Sequence, residues 1–305
     1  MDERARKEEI LEVLMNIIEF MKKNILILDG AMGTQLIERG LKKGECPELW
    51  NIEKPEVIKE IHRSYFGAGS DAVLTNTFGG NSLKLSHFKL ENRAREINLA
   101  GAKIAVSVKP EGKFVGGDIG PTGKILKPYG PLDEITATSS FEEQAKALAE
   151  GNVDFIIIET MSDLREAICA LRGAKKGTTL PVLVSLAYQR TPRGFFTIMG
   201  NPISQCVRTL EDEGADAIGA NCNIGSAEMV ILVEELKAHT NLPVFVEPNA
   251  GKPILSENGT VCYEESPEYF AENISKIIEI GVNGIGGCCG TTPIYIKKIV
   301  EKIRG

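Results

Sequence analysis

Three cysteines carry the most specific chemistry in this chain. GIGGCCGTTP (Gly284–Pro293) sets Cys288 and Cys289 side by side among glycines, and GANCNIG carries Cys222. Adjacent cysteines rarely bond to each other, because a disulfide strains the peptide between them. A shared cation is a better use of two neighbouring thiols. Zn2+ suits sulfur, is usually tetrahedral, and in catalytic sites keeps one position open. Three thiolates give such an ion a net negative charge, which makes it poor at activating water. It is better suited to binding a fourth sulfur. A free thiol, with a pKa of about 8.5, is only a few per cent thiolate at neutral pH, and coordination displaces its proton. The chemistry expected is alkylation of a thiol rather than hydrolysis.

Spacing alone does not assemble this triad, since Cys222 and Cys288 are 66 positions apart (288 − 222). The elements around it do. Eight short apolar runs recur: ILILDG from Ile25, DAVLTNT from Asp71, FVGGDIG from Phe114, DFIIIET from Asp154, PVLVSLA from Pro181, DAIGANC from Asp216, PVFVEPN from Pro243 and NGIGGCC from Asn283. Most lack polar alternation, as expected of parallel strands buried on both faces. Helical patterns such as PEVIKEIHRSYFGAG and AEMVILVEELKAH lie between them. The expected fold is α/β, a (β/α)8 TIM barrel. GSDAV, GADAI and GVNGI, and GNVDFI with one residue more, echo one another at the entries to even-numbered strands. There Gly ends a helix in left-handed geometry and Asp or Asn leads into the strand. The rival, an open doubly wound sheet, would show GxGxxG after the first strand, and DGAMGT does not supply it.

Barrel active sites lie at the C-terminal strand ends. Those ends read Asp29-Gly30, Asn76-Thr77, Asp118, Glu159-Thr160, Ala187, Asn221-Cys222, Glu247-Pro248-Asn249 and Gly287-Cys288-Cys289. Glycine at the last of them lets both thiols turn toward one point. Cys46, Cys169, Cys206 and Cys262 fall in loops or helical patterns and are read as ordinary buried cysteines. His62, His87 and His239 lie away from strand ends.

The 305 residues are 43% apolar and 25% charged, with net charge −7 and no basic concentration, which argues against nucleic acid or an anionic membrane as partner. Seven cysteines, an odd number, with no secretory signal before them, point to a reduced, cytoplasmic setting. At the N-terminus, Ile10, Leu14, Ile17 and Met21 recur at helical spacing in a segment too short to span a bilayer. The expected organisation is an amphipathic helical extension over 1–23 and a barrel over 24–305.

LDGAMGTQL, TNTFGGN, GDIGPTG, ETMSDL, GANCNIG, EPNAGKP and GGCCGTTP, in this order, resemble the homocysteine S-methyltransferase family over roughly residues 24–304. The likeness is strongest to the homocysteine-binding module of cobalamin-dependent methionine synthases. The resemblance implies a zinc site of Cys222, Cys288 and Cys289 that activates homocysteine as a thiolate for methylation to methionine. It implies Asn249 as a fourth ligand when substrate is absent, and Glu159 as the carboxylate for the substrate's ammonium group. It also places the loop Asp29–Thr34, with Gly30 and Ala31, near the substrate carboxylate, and Thr77 among the substrate-binding strand ends. A structural ion pair for Glu159 and a turn-capping role for Asp29 remain alternatives. Gly79 stands where betaine-dependent relatives carry a tyrosine, which favours the methionine-synthase branch.

No D-x-H-x-x-G corrinoid signature occurs here. Methylcobalamin, recharged from methyltetrahydrofolate, is therefore expected in trans, on corrinoid- and folate-binding modules of another domain or polypeptide. S-methylmethionine is the alternative donor. Two other readings stay open: a phosphate-binding aldolase or isomerase using NAGKP and GIGGCCG, and a structural zinc in a non-catalytic module. The loops Gly120–Asp133 and Tyr188–Asn201 are expected to cover the mouth and shape donor access.

Overall fold

The computed structural model describes residues 16–255 and 261–305. Twelve strands are described: β1 (Leu26–Ile27), β2 (Ala72–Leu74), β3 (Phe114–Ile119), β4 (Phe155–Met161), β5 (Val182–Leu186), β6 (Gln189–Thr191), β7 (Gly194–Phe196), β8 (Ala217–Gly225), β9 (Val244–Asn249), β10 (Pro253–Leu255), β11 (Val261–Tyr263) and β12 (Gly284–Ile285). Eight form one parallel sheet in the order β1-β12-β9-β8-β5-β4-β3-β2. The Asp71 N–H donates to the Ile27 carbonyl at 2.6 Å, and Asp29 Oδ2 accepts the Leu74 N–H at 3.0 Å, so the first and last strands of that order also meet. The result is a TIM-type (β/α)8 barrel. The other four strands make two antiparallel hairpins, β6–β7 and β10–β11, in segments whose sequence suggests loops.

The echo at the strand entries has a structural cause. Asp71, Asp154 and Asp216 each accept a backbone N–H from a neighbouring strand or its entry: Ile27 at 3.0 Å, Val115 at 2.6 Å and Val182 at 2.8 Å. Asn283 does the same for Val244 at 3.1 Å. Gly69, Gly214 and Gly281 adopt the left-handed geometry expected, with φ of 106°, 85° and 101°. In GNVDFI, Gly151 does not (φ −80°); the left-handed residue there is Asn152, φ 64°, which accounts for the extra position.

Two cores result. One lies between the sheet and its helices. The other fills the barrel itself, with Leu26, Leu28, Phe155, Ile157, Leu183 and Phe245. The helix Ile17–Lys23 inserts Ile17 and Met21 into this inner core and accepts a hydrogen bond from Asn283 at the Met21 carbonyl, next to the strand entries. Ile10 and Leu14 lie outside the described residues. No helix among the described residues is long and apolar enough to cross a membrane.

Candidate metal and substrate site

Strand β8 reaches Cys222 through a bulge: Cys222 and Asn223 have φ of 60° and 61°, and pairing with β9 resumes only at Gly225. This backbone is costly for a side-chain-bearing residue and is the kind of strain that collects at functional sites. Cys288 and Cys289 were expected to close the eighth barrel strand. Instead β12 stops at Ile285, and both thiols sit in the turn that follows. The turn is pinned to the end of β9, where the Cys288 N–H donates to the Pro248 carbonyl at 2.8 Å and the Ala250 N–H to the Cys289 carbonyl at 2.9 Å. Glycine is required inside it. A Cβ on Gly287 would lie 2.4 Å from Thr291 Oγ1, and one on Gly290, at φ 83°, would lie 2.3 Å from the Tyr263 ring.

The three sulfurs converge. Cys222 Sγ is 3.9 Å from Cys289 Sγ, Cys288 Sγ is 4.0 Å from Cys289 Sγ, and all three lie within 4.8 Å of one another. A tetrahedral zinc with bonds of about 2.3 Å spaces its sulfurs about 3.8 Å apart, so the triad fits such an ion with little movement. Hydrogen bonds from the Cys222 and Cys288 thiols lower the pKa of Cys289 to about 3, while contacts with Cys222 and Cys289, and burial, push that of Cys288 well up. Asn249 adds a buried Oδ1 with no hydrogen-bond partner, on the strand end that pins the turn. The other cysteines stay apart from this cluster. Cys46, Cys169 and Cys206 are buried as expected, but Cys262 on β11 is exposed.

The triad opens onto a cavity of about 280 Å³ lined by Asp29–Thr34, Leu36, Pro47, Glu48, Leu74–Asn76, Phe78, Asp118, Glu159, Thr160, Cys222, Glu247 and Gly287–Cys289. Five of these residues are acidic and none is Lys, Arg or His. Burial raises the pKa of Asp29, Asp118 and Glu247 well above the carboxylate range, and that of Glu159 to about 7. Their mutual repulsion adds to the effect on Asp29, Asp118 and Glu247. Asp118 Oδ1 and Glu247 Oε2 have no hydrogen-bond partner among the described residues. A cavity of this kind favours a compact cation, because a buried carboxylate is stabilised by a positive charge beside it.

The residues singled out in the sequence distribute unevenly around it. Glu159 lines the cavity, and its partners are Asn221 and Asp118 rather than a cation, so it is no rim ion pair. Asp29 both lines the cavity and bridges β1 to β2 through Oδ2. Gly30 and Ala31 line the cavity, but the Ala31 N–H is occupied by the Thr291 carbonyl at 3.0 Å. The helix Met32–Glu38 has no side-chain cap at Ala31, so the N–H groups of its first turn lack helical partners there. Thr77 is turned away from the cavity, with its hydroxyl on the Asp118 carbonyl at 2.7 Å; Thr75 and Asn76 line the wall instead. Neither Gly120–Asp133 nor Tyr188–Asn201 supplies a lining residue, and the segment after β1, Pro47–Glu48 and Phe78 do that work. Glu48 gave no sequence signal because it lies on a short helix between strands. It accepts the Gly79 N–H at 2.7 Å.

Fold and site together define a (β/α)8 barrel in which three thiols converge on an acid-lined cavity at the strand exits. The model of the homocysteine S-methyltransferase family matches residues 26–303. The methionine synthases of Mycobacterium tuberculosis and Mycobacterium leprae are each 33% identical to this chain over 94% of its length. The chain spans 25% of the length of those relatives. The metallated form of the homocysteine methyltransferase MmuM from Escherichia coli superposes with a TM-score of 0.74 at 23% identity, over 93% of this chain and 97% of that one, a likeness of fold. The chain belongs to the homocysteine S-methyltransferase family.

Proposed function

We propose that this chain binds homocysteine at the barrel mouth and presents its sulfur, through a zinc held by Cys222, Cys288 and Cys289, for methylation to methionine. The observation that carries this reading is the convergence of three sulfurs at about tetrahedral-zinc spacing on a cavity whose titratable lining is otherwise acidic. Zinc at that triad would displace the substrate's thiol proton and leave an anionic, nucleophilic sulfur.

The chain's own residues do the rest. Glu159, with Asp118 beside it, takes the substrate's ammonium group, whose charge offsets the repulsion among the buried carboxylates. The substrate carboxylate is met by first-turn N–H groups of Met32, Gly33 and Thr34, favoured by the positive end of the helix dipole. Asn249, with its unpartnered Oδ1, is suited to complete the metal's shell until a substrate sulfur arrives. Leu36, Leu74 and Phe78 add apolar walls that exclude water from the reacting sulfur.

The donor reading is methylcobalamin carried by another module and recharged from methyltetrahydrofolate. It is supported by the relatedness to methionine synthases of which this chain spans a quarter. The domain reading follows from the same likeness: 24–305 as one homocysteine-binding barrel, with 1–23 as its extension.

The test is direct. Zinc-loaded protein with homocysteine is offered methylcobalamin, S-methylmethionine or betaine in turn, and methionine is measured. Methionine with methylcobalamin is expected; turnover with S-methylmethionine alone would reassign the donor, and none from any donor would remove the function.

A further inference from the structure

Asn221 is 1% exposed and sits where three barrel strands meet, outside the cavity lining. Its Oδ1 accepts the Thr160 N–H at 2.8 Å and the Ser185 hydroxyl at 2.7 Å. Its Nδ2 donates to Glu159 Oε2 and to Thr160 Oγ1, both at 2.7 Å, and lies 3.9 Å from Cys288 Sγ. The orientation of the amide is unambiguous. A backbone N–H can only donate, so the atom facing Thr160 N is the oxygen, and the NH2 faces the carboxylate. All its strong hydrogen-bonding capacity is used, and one end of it is spent on an acid that no Lys or Arg among the described residues approaches.

The backbone around it is equally specific. Thr160, directly after Glu159, has φ 59°, and Cys222, directly after Asn221, has φ 60°. One amide therefore holds two strained corners together: the corner that aims the carboxylate of β4 and the corner that aims the thiol of β8. Resting on the homocysteine reading, we propose that Asn221 is a positioning residue that ties ammonium recognition by Glu159 to the thiol site, with Ser185 fixing its orientation. In this role it makes the site select an amino-acid thiol over a plain thiol.

The experiment compares calorimetric binding of homocysteine with that of 4-mercaptobutanoate, which keeps thiol and carboxylate but lacks the amine. Both are titrated into zinc-loaded wild type, Asn221→Leu and Ser185→Ala, with zinc content and Tm measured alongside. Leucine keeps the branched shape and removes every hydrogen bond. Asn221→Leu is expected to weaken homocysteine by about 10- to 100-fold, the value of a bond to a charged group, and 4-mercaptobutanoate by less than about threefold. Ser185→Ala is expected to act in the same direction by about two- to fivefold, a neutral bond's share, and it decides the matter if Asn221→Leu does not fold. Equal losses for both ligands, no loss for either, or loss of zinc with both would make Asn221 a structural prop and overturn the proposal. Wild type that binds homocysteine no better than 4-mercaptobutanoate overturns it too. Wild type that binds neither ligand overturns the homocysteine reading itself.

Discussion

The two ends of the barrel use the same residue types in opposite ways. At the strand entries, Asp71, Asp154 and Asp216 each accept a backbone N–H and each pair with a cation: Lys113 and Arg304, Lys109, and Lys175 respectively. At the strand exits, Asp29, Asp118, Glu159 and Glu247 crowd one cavity that no Lys, Arg or His lines. The first arrangement is complete and binds the sheet together. The second leaves carboxylate oxygens of Asp118 and Glu247 without a partner among the described residues, as a binding site would. Backbone strain divides in part the same way. Thr160, Cys222 and Asn223, side-chain-bearing residues in left-handed geometry, all sit at strand exits, whereas the strand entries mostly give that geometry to glycine.

Substitutions at the two ends should therefore separate binding from stability. The largest effect is expected at the thiols. Cys222→Ala should drop zinc from about one per chain to none and abolish methyl transfer, leaving too few ligands for a tight site; metal analysis beside a methionine assay checks it. Next comes the sealed end. Met21 is fully buried in the inner core, and Met21→Ala should cost about 3 kcal/mol in urea unfolding, as cavity-forming core truncations do. Zinc stoichiometry should not change. Glu159→Gln should reverse that pattern, raising the KM for homocysteine about 10- to 100-fold through a lost charged bond. Burial sets the folded pKa of Glu159 at about 7, above the ordinary 4.5, so its ionisation at pH 8 favours the unfolded chain. Tm at pH 8 should therefore hold or rise. The smallest effect is expected at an entry carboxylate. Asp154→Ala, losing Lys109 and the Val115 N–H, should cost about 1 kcal/mol of stability with KM unchanged. A rise in KM there, or a fall in Tm for Glu159→Gln, would erase the contrast between the ends.

Much of this division was visible in the order of residues. Buried apolar runs marked all eight barrel strands, because parallel strands covered on both faces leave an uninterrupted signal. The polar residue ending each run then pointed to one mouth. Local geometry was less visible. β12 spans two residues because glycines let the chain turn early, so Cys288 and Cys289 are turn residues, not strand residues. The β6–β7 and β10–β11 hairpins carry mixed polar segments without clear alternation, and their pairing is set by tertiary context. Thr77 and Thr75 share a hydroxyl contact at 2.6 Å, and only the twist of β2 into its loop decides which neighbour faces the cavity. Asn221 was visible as a strand-end residue, but its role was not, since its partners are 36, 61, 62 and 67 positions away.

The sulfur coordination of bound zinc tests the central claim most directly. X-ray absorption at the zinc edge, on protein with one equivalent of zinc, should show three sulfurs at about 2.3 Å and one lighter atom, becoming four sulfurs when homocysteine is added. Fewer than three sulfurs, or a shell that homocysteine leaves unchanged, would contradict it.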